Sequence, residues 1–300
     1  MLRPAGGDGK VSVMSAADKT RPRLFVWAPA PALLWTALFF VLPLLAMAVT
    51  SLTRREHGET VAFWTLANYR TFFTEGSGVF VAALWNSIEV TLIVTVVSVL
   101  VAYPIAYVLA YRVPARWQRM LLVLLVLPFW TSYVIRSYSW LLVLSEKGVI
   151  SAGLQSLGLA SGPIGFGNNR GATVLGFVHF FTMLLTLTIY ANLAQIRESY
   201  RRAAADLGAS PVQVFTRITL PLSLPGVAVG AFLTFVLAIG DYVTPQILGG
   251  SKELLLPQAI MLQVGRTADF PLASAMSMVL MAVVTMAYLL FARHLKMDRL

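Results

Sequence analysis

Arg202-Ala203-Ala204-Ala205-Asp206-Leu207-Gly208-Ala209-Ser210-Pro211, running on to Ile218-Thr219-Leu220-Pro221, is a polar interlude in an otherwise apolar chain. It reads as two short helices joined by a tight turn. Gly208 suits the left-handed position that closes the first helix. Ser210 caps the second, and Pro211 takes its first turn, where a missing N–H costs nothing. Pro221 is expected to end that second helix. The small residues Ala203, Ala204 and Ala205 permit close backbone approach, and Val214 and Ile218, with Phe215 one position round, offer an apolar face at helical spacing. Such a knob either docks into another protein or packs against its own bundle, and helix-turn-helix spacing alone leaves both open.

The sequence on either side of this stretch belongs in a bilayer. Of 300 residues 58% are hydrophobic and only 12% charged, and the mean hydropathy is +0.75, too apolar for an ordinary soluble domain. Apolar runs of the length a spanning helix needs predict six spans, at about residues 24–52, 84–111, 120–144, 172–192, 223–248 and 272–292. Residues 1–23 read as a polar tail, 193–222 as the loop that carries the knob, and 293–300 as a basic tail. The length of the first run, and the lack of a small-residue cleavage site after it, argue against a removable signal peptide. Residues 53–83 form a mixed-charge loop whose Phe63-Trp64-Thr65-Leu66-Ala67-Asn68-Tyr69-Arg70-Thr71-Phe72-Phe73 segment is expected to lie along the interface. Leu127-Pro128-Phe129-Trp130 interrupts the third run and predicts a kink covered by neighbouring helices. Residues 145–171 and 249–271 read as loops.

Charge placement orients the spans. Six spans put both termini on one side, where the tails, the turn with Arg112, Arg116 and Arg119, and the loop with Arg197, Arg201, Arg202 and Arg217 together hold fifteen Lys and Arg, against seven on the other side. The positive-inside rule then predicts that both termini and the knob are cytoplasmic. The net charge of +10 is thereby topology rather than a nucleic-acid footprint, with a nonspecific attraction of juxtamembrane arginines to anionic lipid. No cysteine is present, which excludes disulfides, thiolate metal sites and cysteine nucleophiles. Gly9-Lys10 is followed by Val11 and lacks the upstream glycine of a phosphate-binding loop.

The knob resembles the cytoplasmic loop of binding-protein-dependent ABC importer permeases, whose signature is Glu-Ala-Ala, three residues, Gly, nine residues, Ile-x-Leu-Pro. Here the register is Arg202-Ala203-Ala204, Gly208 and Ile218-Thr219-Leu220-Pro221, with Arg202 in place of the leading Glu. Leu127-Pro128-Phe129-Trp130-Thr131-Ser132, Ile135-Arg136-Ser137-Tyr138-Ser139-Trp140, Gly240-Asp241-Tyr242-Val243-Thr244-Pro245, Leu248-Gly249-Gly250, Asn86-Ser87 and Asn68-Tyr69 are similar to the spermidine/putrescine permeases of the first-subunit type. The resemblance implies an all-α, six-helix type I importer permease in the bacterial inner membrane, with a coupling helix between the fourth and fifth spans. It implies as partners a second homologous permease, an ATPase dimer and a periplasmic binding protein. ATP and Mg would be bound by the ATPase and no cofactor by this chain. The coupling contact would fall to Arg202, Ala203, Ala204, Gly208, Ile218, Leu220 and Pro221.

Charges within the spans demand an explanation, because each costs at least about 2.5 kcal/mol at mid-bilayer. Glu89, Arg136 and Asp241 are the candidates; the alternative for each is snorkelling or pairing. Asp241, between Gly240 and Pro245, points to a locally opened helix lining a cavity, where a carboxylate would attract the ammonium groups of a polyamine. Arg136 repels cations and suits a different task, holding the broken third helix through a carboxylate or freed carbonyls. Trp130, Tyr133, Tyr138, Trp140 and Tyr242 offer cation-π faces or an aromatic belt. His57, His179 and His294 lack metal-ligand spacing and read as a loop, a helix-interface and a tail residue. An embedded hydrolase lacks its nucleophile elbow. The same permease class serving an opine, an amino-acid-like or a phosphonate-like amine remains an alternative. An ion-coupled secondary transporter is another, though it leaves the knob unexplained.

Overall fold

The computed structural model describes residues 30–56, 59–74, 78–250 and 254–295; side chains are described for these apart from 55–60 and 293–295. The tail at 1–23, His57, and the side chains of the basic tail with His294 lie outside the described residues. Residues up to Val49 form one unit and Thr50 onward a second. The first unit is most of helix α1 (Ala30–Ser51), an apolar segment with one π-helical turn at Ala37–Val41.

In the second unit the chain makes a short hairpin, β1 (Arg54–Glu56) and β2 (Glu59–Ala62), and then α2 (Ala67–Thr74). Next come α3 (Val79–Tyr111), α4 (Ala115–Val126) with a 3-10 turn at Leu127–Trp130, α5 (Tyr133–Leu144), α6 (Val149–Ser156) and α7 (Arg170–Leu193). They are followed by α8 (Glu198–Asp206), α9 (Pro211–Ile239), α10 (Val243–Leu248), α11 (Leu256–Leu262) and α12 (Phe270–Leu295). Among the described residues, five helices (α1, α3, α7, α9 and α12) are long and apolar enough to cross a membrane. The pair Ala115–Trp130 and Tyr133–Ser156, bent by 91°, makes a sixth span if taken as one.

Helices α3, α7 and α9 form the centre. The buried face of α3 is a stripe spaced three or four residues apart and rich in small side chains: Ala83, Ser87, Val90, Val94, Ser98, Ala102 and Ala106. In lipid no water drives helices together, so close backbone approach across small residues does. Val90 and Val94 meet Phe177 and Phe181, while Ala102 and Ala106 meet Leu185, Ile189 and Leu193. Gly226 and Gly230 of α9 form the matching groove, since a Cβ on Gly226 would stand 2.4 Å from Asn192 Cγ. A second core joins Phe72 of α2 to Leu256 and Ala259 of α11 and to Leu272 and Met276 of α12.

Several sequence expectations are corrected. Pro221 does not end a helix. The second helix of the knob runs on from Pro211 to Ile239, because the backbone widens into a π turn at Phe215–Thr219, where the Leu220 N–H reaches Phe215 O, and this accommodates the proline just beyond it. The helix that carries the fifth apolar run therefore begins earlier than residue 223 and stops at Ile239 rather than 248, with α10 restarting after the break. The segment around residues 63–73, expected along the interface, leaves Phe63, Trp64, Leu66 and Phe73 exposed and is anchored through Asn68, Tyr69 and Phe72. Asn68 donates to the carbonyls of Ser51 (2.8 Å) and Thr53 (2.7 Å), Tyr69 OH meets Ser51 Oγ (2.9 Å), and Phe72 is fully buried. The two expected loops at 145–171 and 249–271 contain α6 and α11. The start of α11 is held from α3, where Ser87 Oγ accepts from the Leu256 N–H (2.8 Å) and Asn86 Nδ2 donates to Leu254 O (3.4 Å).

Candidate functional site: two broken helices and a knob

Two helix breaks meet in the bundle. The first follows from Pro128, which cannot continue an α-helical ladder, so α4 tightens into the 3-10 turn and α5 restarts at Tyr133. That break frees backbone carbonyls, and Arg136 takes two of them: its Nη2 donates to Pro128 O and, at 3.1 Å, to Thr131 O. Its guanidinium carbon also lies 5.8 Å from the Phe129 ring centroid and 5.4 Å from that of Phe180. Carbonyls and aromatic faces thus meet part of the charge locally, while Nε and Nη1 are buried with no hydrogen-bond partner among the described residues.

The second break separates α9 from α10 at Gly240-Asp241-Tyr242. One oxygen of Asp241 accepts from the Val243 N–H (2.8 Å), so the side chain holds the turn that leads into α10. Its other oxygen accepts from Thr244 Oγ1 (3.1 Å) and from the hydroxyl of Tyr133, which also contacts Thr244 Oγ1. Tyr133 thereby ties the broken third span to the broken fifth. Its ring packs edge-on against Phe180, 5.1 Å between centroids. Small-residue packing sets this geometry, since a Cβ on Gly176 of α7 would stand 2.5 Å from Leu248 Cδ1 of α10.

The other sequence candidates are placed elsewhere. Trp130 is 88% exposed and lines an apolar groove with Leu122, Val123, Val126 and Leu127. Tyr242 is partly exposed and sits at the N-terminal edge of α10. Glu89 is paired with Arg170 at 2.7 Å, joining α3 to the start of α7. Trp140 donates its ring N–H to His179 Nδ1 at 3.1 Å, a contact between α5 and α7. Sequence reading singled out neither Thr244 nor Phe180. Thr244 was legible in principle, standing three residues after Asp241, whereas Phe180 is one of many apolar residues in α7.

The knob has the turn its sequence dictates. Gly208 has φ of +84°, the Ala209 N–H reaches Ala204 O (3.0 Å) and the Gly208 N–H reaches Ala205 O (2.9 Å), a Schellman closure of α8. Ser210 and Gln213 form a reciprocal capping box at the start of α9. Of the two readings left open for the face of Val214, Phe215 and Ile218, packing against the bundle is realised at Phe215, and all three residues are half-buried. Phe215 packs edge-on against Tyr103 (5.9 Å) and Tyr107 (5.5 Å), because aromatic surface this close to α3 is better buried than solvated. The apolar residues left outward are Leu207, 89% exposed, and Val212, 70% exposed. Ala203 is exposed and Ala204 half-buried. Arg202 bonds Glu198 one turn upstream, with N–O distances of 2.9 and 3.1 Å.

The family described as binding-protein-dependent transport system inner membrane component matches residues 76–297. The spermidine/putrescine transport system permease protein PotB of Haemophilus influenzae is 33% identical over 258 residues, which is 85% of this chain and 89% of that protein. PotB of Escherichia coli is 32% identical over 260 residues, 86% of this chain and 93% of that protein. Among solved structures, a bacterial ABC transporter involved in the import of the acidic polysaccharide alginate superposes with a TM-score of 0.74 over 93% of this chain and 97% of that one. The identity is 16%, so that likeness speaks for the fold.

Proposed function

We propose, from the premise that this chain belongs to the family of binding-protein-dependent transport system inner membrane components, that it forms part of the path by which an ATP-driven importer moves polyamines across the bacterial inner membrane. The chain is a membrane-spanning permease subunit of the ABC importer class, a transport protein rather than an enzyme. The observation that carries the polyamine reading is identity of about a third, over nearly the whole chain, to permeases named for spermidine and putrescine. An ion-coupled secondary transporter has no use for the knob, and the family match leaves that reading unsupported.

In this reading both termini and α8 face the cytoplasm, and Arg202, Ala203, Ala204 and Gly208 meet an ATPase dimer that binds ATP and Mg. Ile218, Leu220 and Pro221 transmit the contact into α9. A second, homologous permease completes the path, and a periplasmic binding protein delivers the solute. Asp241 supplies negative charge where two helices are broken, Tyr133 and Tyr242 flank it and Arg136 holds the break in shape, while Glu89 and Trp130, away from this point, would meet the solute elsewhere along the route. The carboxylate of Asp241 starts out bound to Tyr133 and Thr244, so an ammonium group competes with those hydroxyls for it.

The test is uptake of radiolabelled spermidine into vesicles carrying the permease pair, the ATPase and the binding protein. Uptake is expected to require ATP. Asp241→Asn, which keeps an oxygen for the Val243 N–H while losing the charge, is expected to lower uptake about tenfold, the effect of one charge-assisted hydrogen bond, with assembly intact. Tyr133→Phe, which frees the carboxylate, is expected to lower the half-saturating concentration. Unchanged kinetics in both variants would remove Asp241 from the path. Uptake driven by an ion gradient without ATP would overturn the importer assignment itself.

A further inference from the structure

Between α8 and the end of α3 lies a pocket of ≈ 380 Å³ lined by Tyr107, Tyr111, Arg112, Glu198, Arg201 and Arg202. Three arginines line it against one glutamate, and the carboxylate of that glutamate is engaged by Arg202. The guanidinium carbon of Arg201 lies 3.9 Å from the Tyr111 ring centroid, and its Nε is buried with no hydrogen-bond partner among the described residues. A buried donor left unmatched costs free energy until an acceptor arrives. Stacking on Tyr111 fixes the guanidinium plane, and a planar fork held in place is the group best suited to bind a tetrahedral oxyanion through paired N–H bonds.

Position narrows the ligand. The pocket opens at the end of α3, a helix long and apolar enough to span, where Tyr111 is its last residue and Arg112 its C-cap; with the orientation of the proposed function, on which this inference rests, that is the cytoplasmic end of a span. Basic pockets at that level take lipid headgroups. The residues of α8 that line it, Glu198, Arg201 and Arg202, share one face, whereas Leu207 and Val212 remain outward. We propose that this pocket binds a phosphate ester, the headgroup of an anionic membrane lipid, which fastens α8 to the end of α3 and leaves the outward side of the knob open to a partner. The site is more specific than the general attraction of basic segments for acidic bilayers, because it depends on one stacked arginine and is opposed by one acid.

The experiment is native mass spectrometry of the full-length chain released from detergent, with phosphatidylglycerol, phosphatidylcholine and soluble glycerol phosphate as probes. Phosphatidylglycerol is expected to be retained over phosphatidylcholine. Arg201→Gln is expected to weaken that retention roughly fivefold, the effect of one arginine at a membrane surface. Glu198→Gln is expected to strengthen it, because it removes the opposing acid and releases Arg202; a variant that merely failed to fold could not show that gain. Equal retention of phosphatidylglycerol in all three proteins would overturn the site. Binding of glycerol phosphate without lipid would keep the phosphate site and overturn the lipid as its occupant. Unchanged lipid retention with loss of a co-purifying ATPase in Arg201→Gln would show a protein contact instead.

Discussion

Gly208 is the residue on which the knob turns. Its φ of +84° lies in the left-handed region, and a Cβ built there would meet nothing within 4 Å. A side chain at this position is therefore penalised by backbone conformation alone, about 1–2 kcal/mol for an ordinary L-residue and more for a β-branched one. Gly208→Val is expected to uncouple ATP hydrolysis from transport by shifting α8 relative to the start of α9. Gly208→Asn, which tolerates the left-handed region, is expected to remain coupled. The check is the ratio of substrate-stimulated ATPase activity to spermidine uptake in the reconstituted importer. Normal coupling in the valine variant would show that the turn does not set the angle of the knob. Arg136 makes the complementary point: a single charge in a span need not touch substrate when a proline nearby has freed carbonyls for it to bind.

At the scale of elements, the chain is built on close approach and interruption. Gly226 and Gly230 of α9 stand four residues apart against α7, where added Cβ atoms would come within 2.4 Å of Asn192 and 2.9 Å of Leu185. Gly226→Leu is expected to lower the detergent-solubilised thermal midpoint by several degrees and reduce yield, since overpacking typically costs about 1–3 kcal/mol. Gly153→Leu in α6, where nothing lies within 4 Å, serves as the control and is expected to leave the midpoint in place. Equal midpoints in the two variants would count against the packed interface. The apolar runs, Pro128 and the stretch from Gly240 to Pro245 made the long apolar helices and both breaks legible in the sequence. The π turn before Pro221 was not, because its sequence differs in no obvious way from that of an ordinary helix start. The burial of Phe72 and of α11 depends on partners far away in the chain, and no local pattern announces such contacts.

At the scale of the whole molecule, the candidate site was legible as residues but not as a constellation. Asp241 and Arg136 stood out because charge is expensive in a span, and Tyr133 as one of several aromatic faces. That Asp241 would bind Tyr133 depended on two helix breaks meeting, which spacing along one chain does not reveal. The inward turn of Phe215 likewise moved the exposed apolar face of the knob to Leu207 and Val212. This bears on how the permease meets its ATPase. Arg202 stands where the resembled signature has an acid, and its pair with Glu198 is a solvent-exposed one, 74% and 66% accessible, of the kind that contributes at most about 1 kcal/mol. Arg202 also borders the pocket between α8 and α3, but its side chain is largely accessible, so its charge stays available to a partner as well, and a groove evolved to receive it is expected to be acidic or neutral. Arg202→Glu is expected to lower co-purification of this permease's own ATPase, more at low ionic strength than at high, because the contact is screened by salt. An ATPase from a relative with a basic groove is expected to show the reverse preference, binding the Glu variant better than the parent. If the parent assembles with that basic groove as well as with its own partner, the charge at residue 202 plays no part in choosing the ATPase, and selection must rest on Leu207 and Val212.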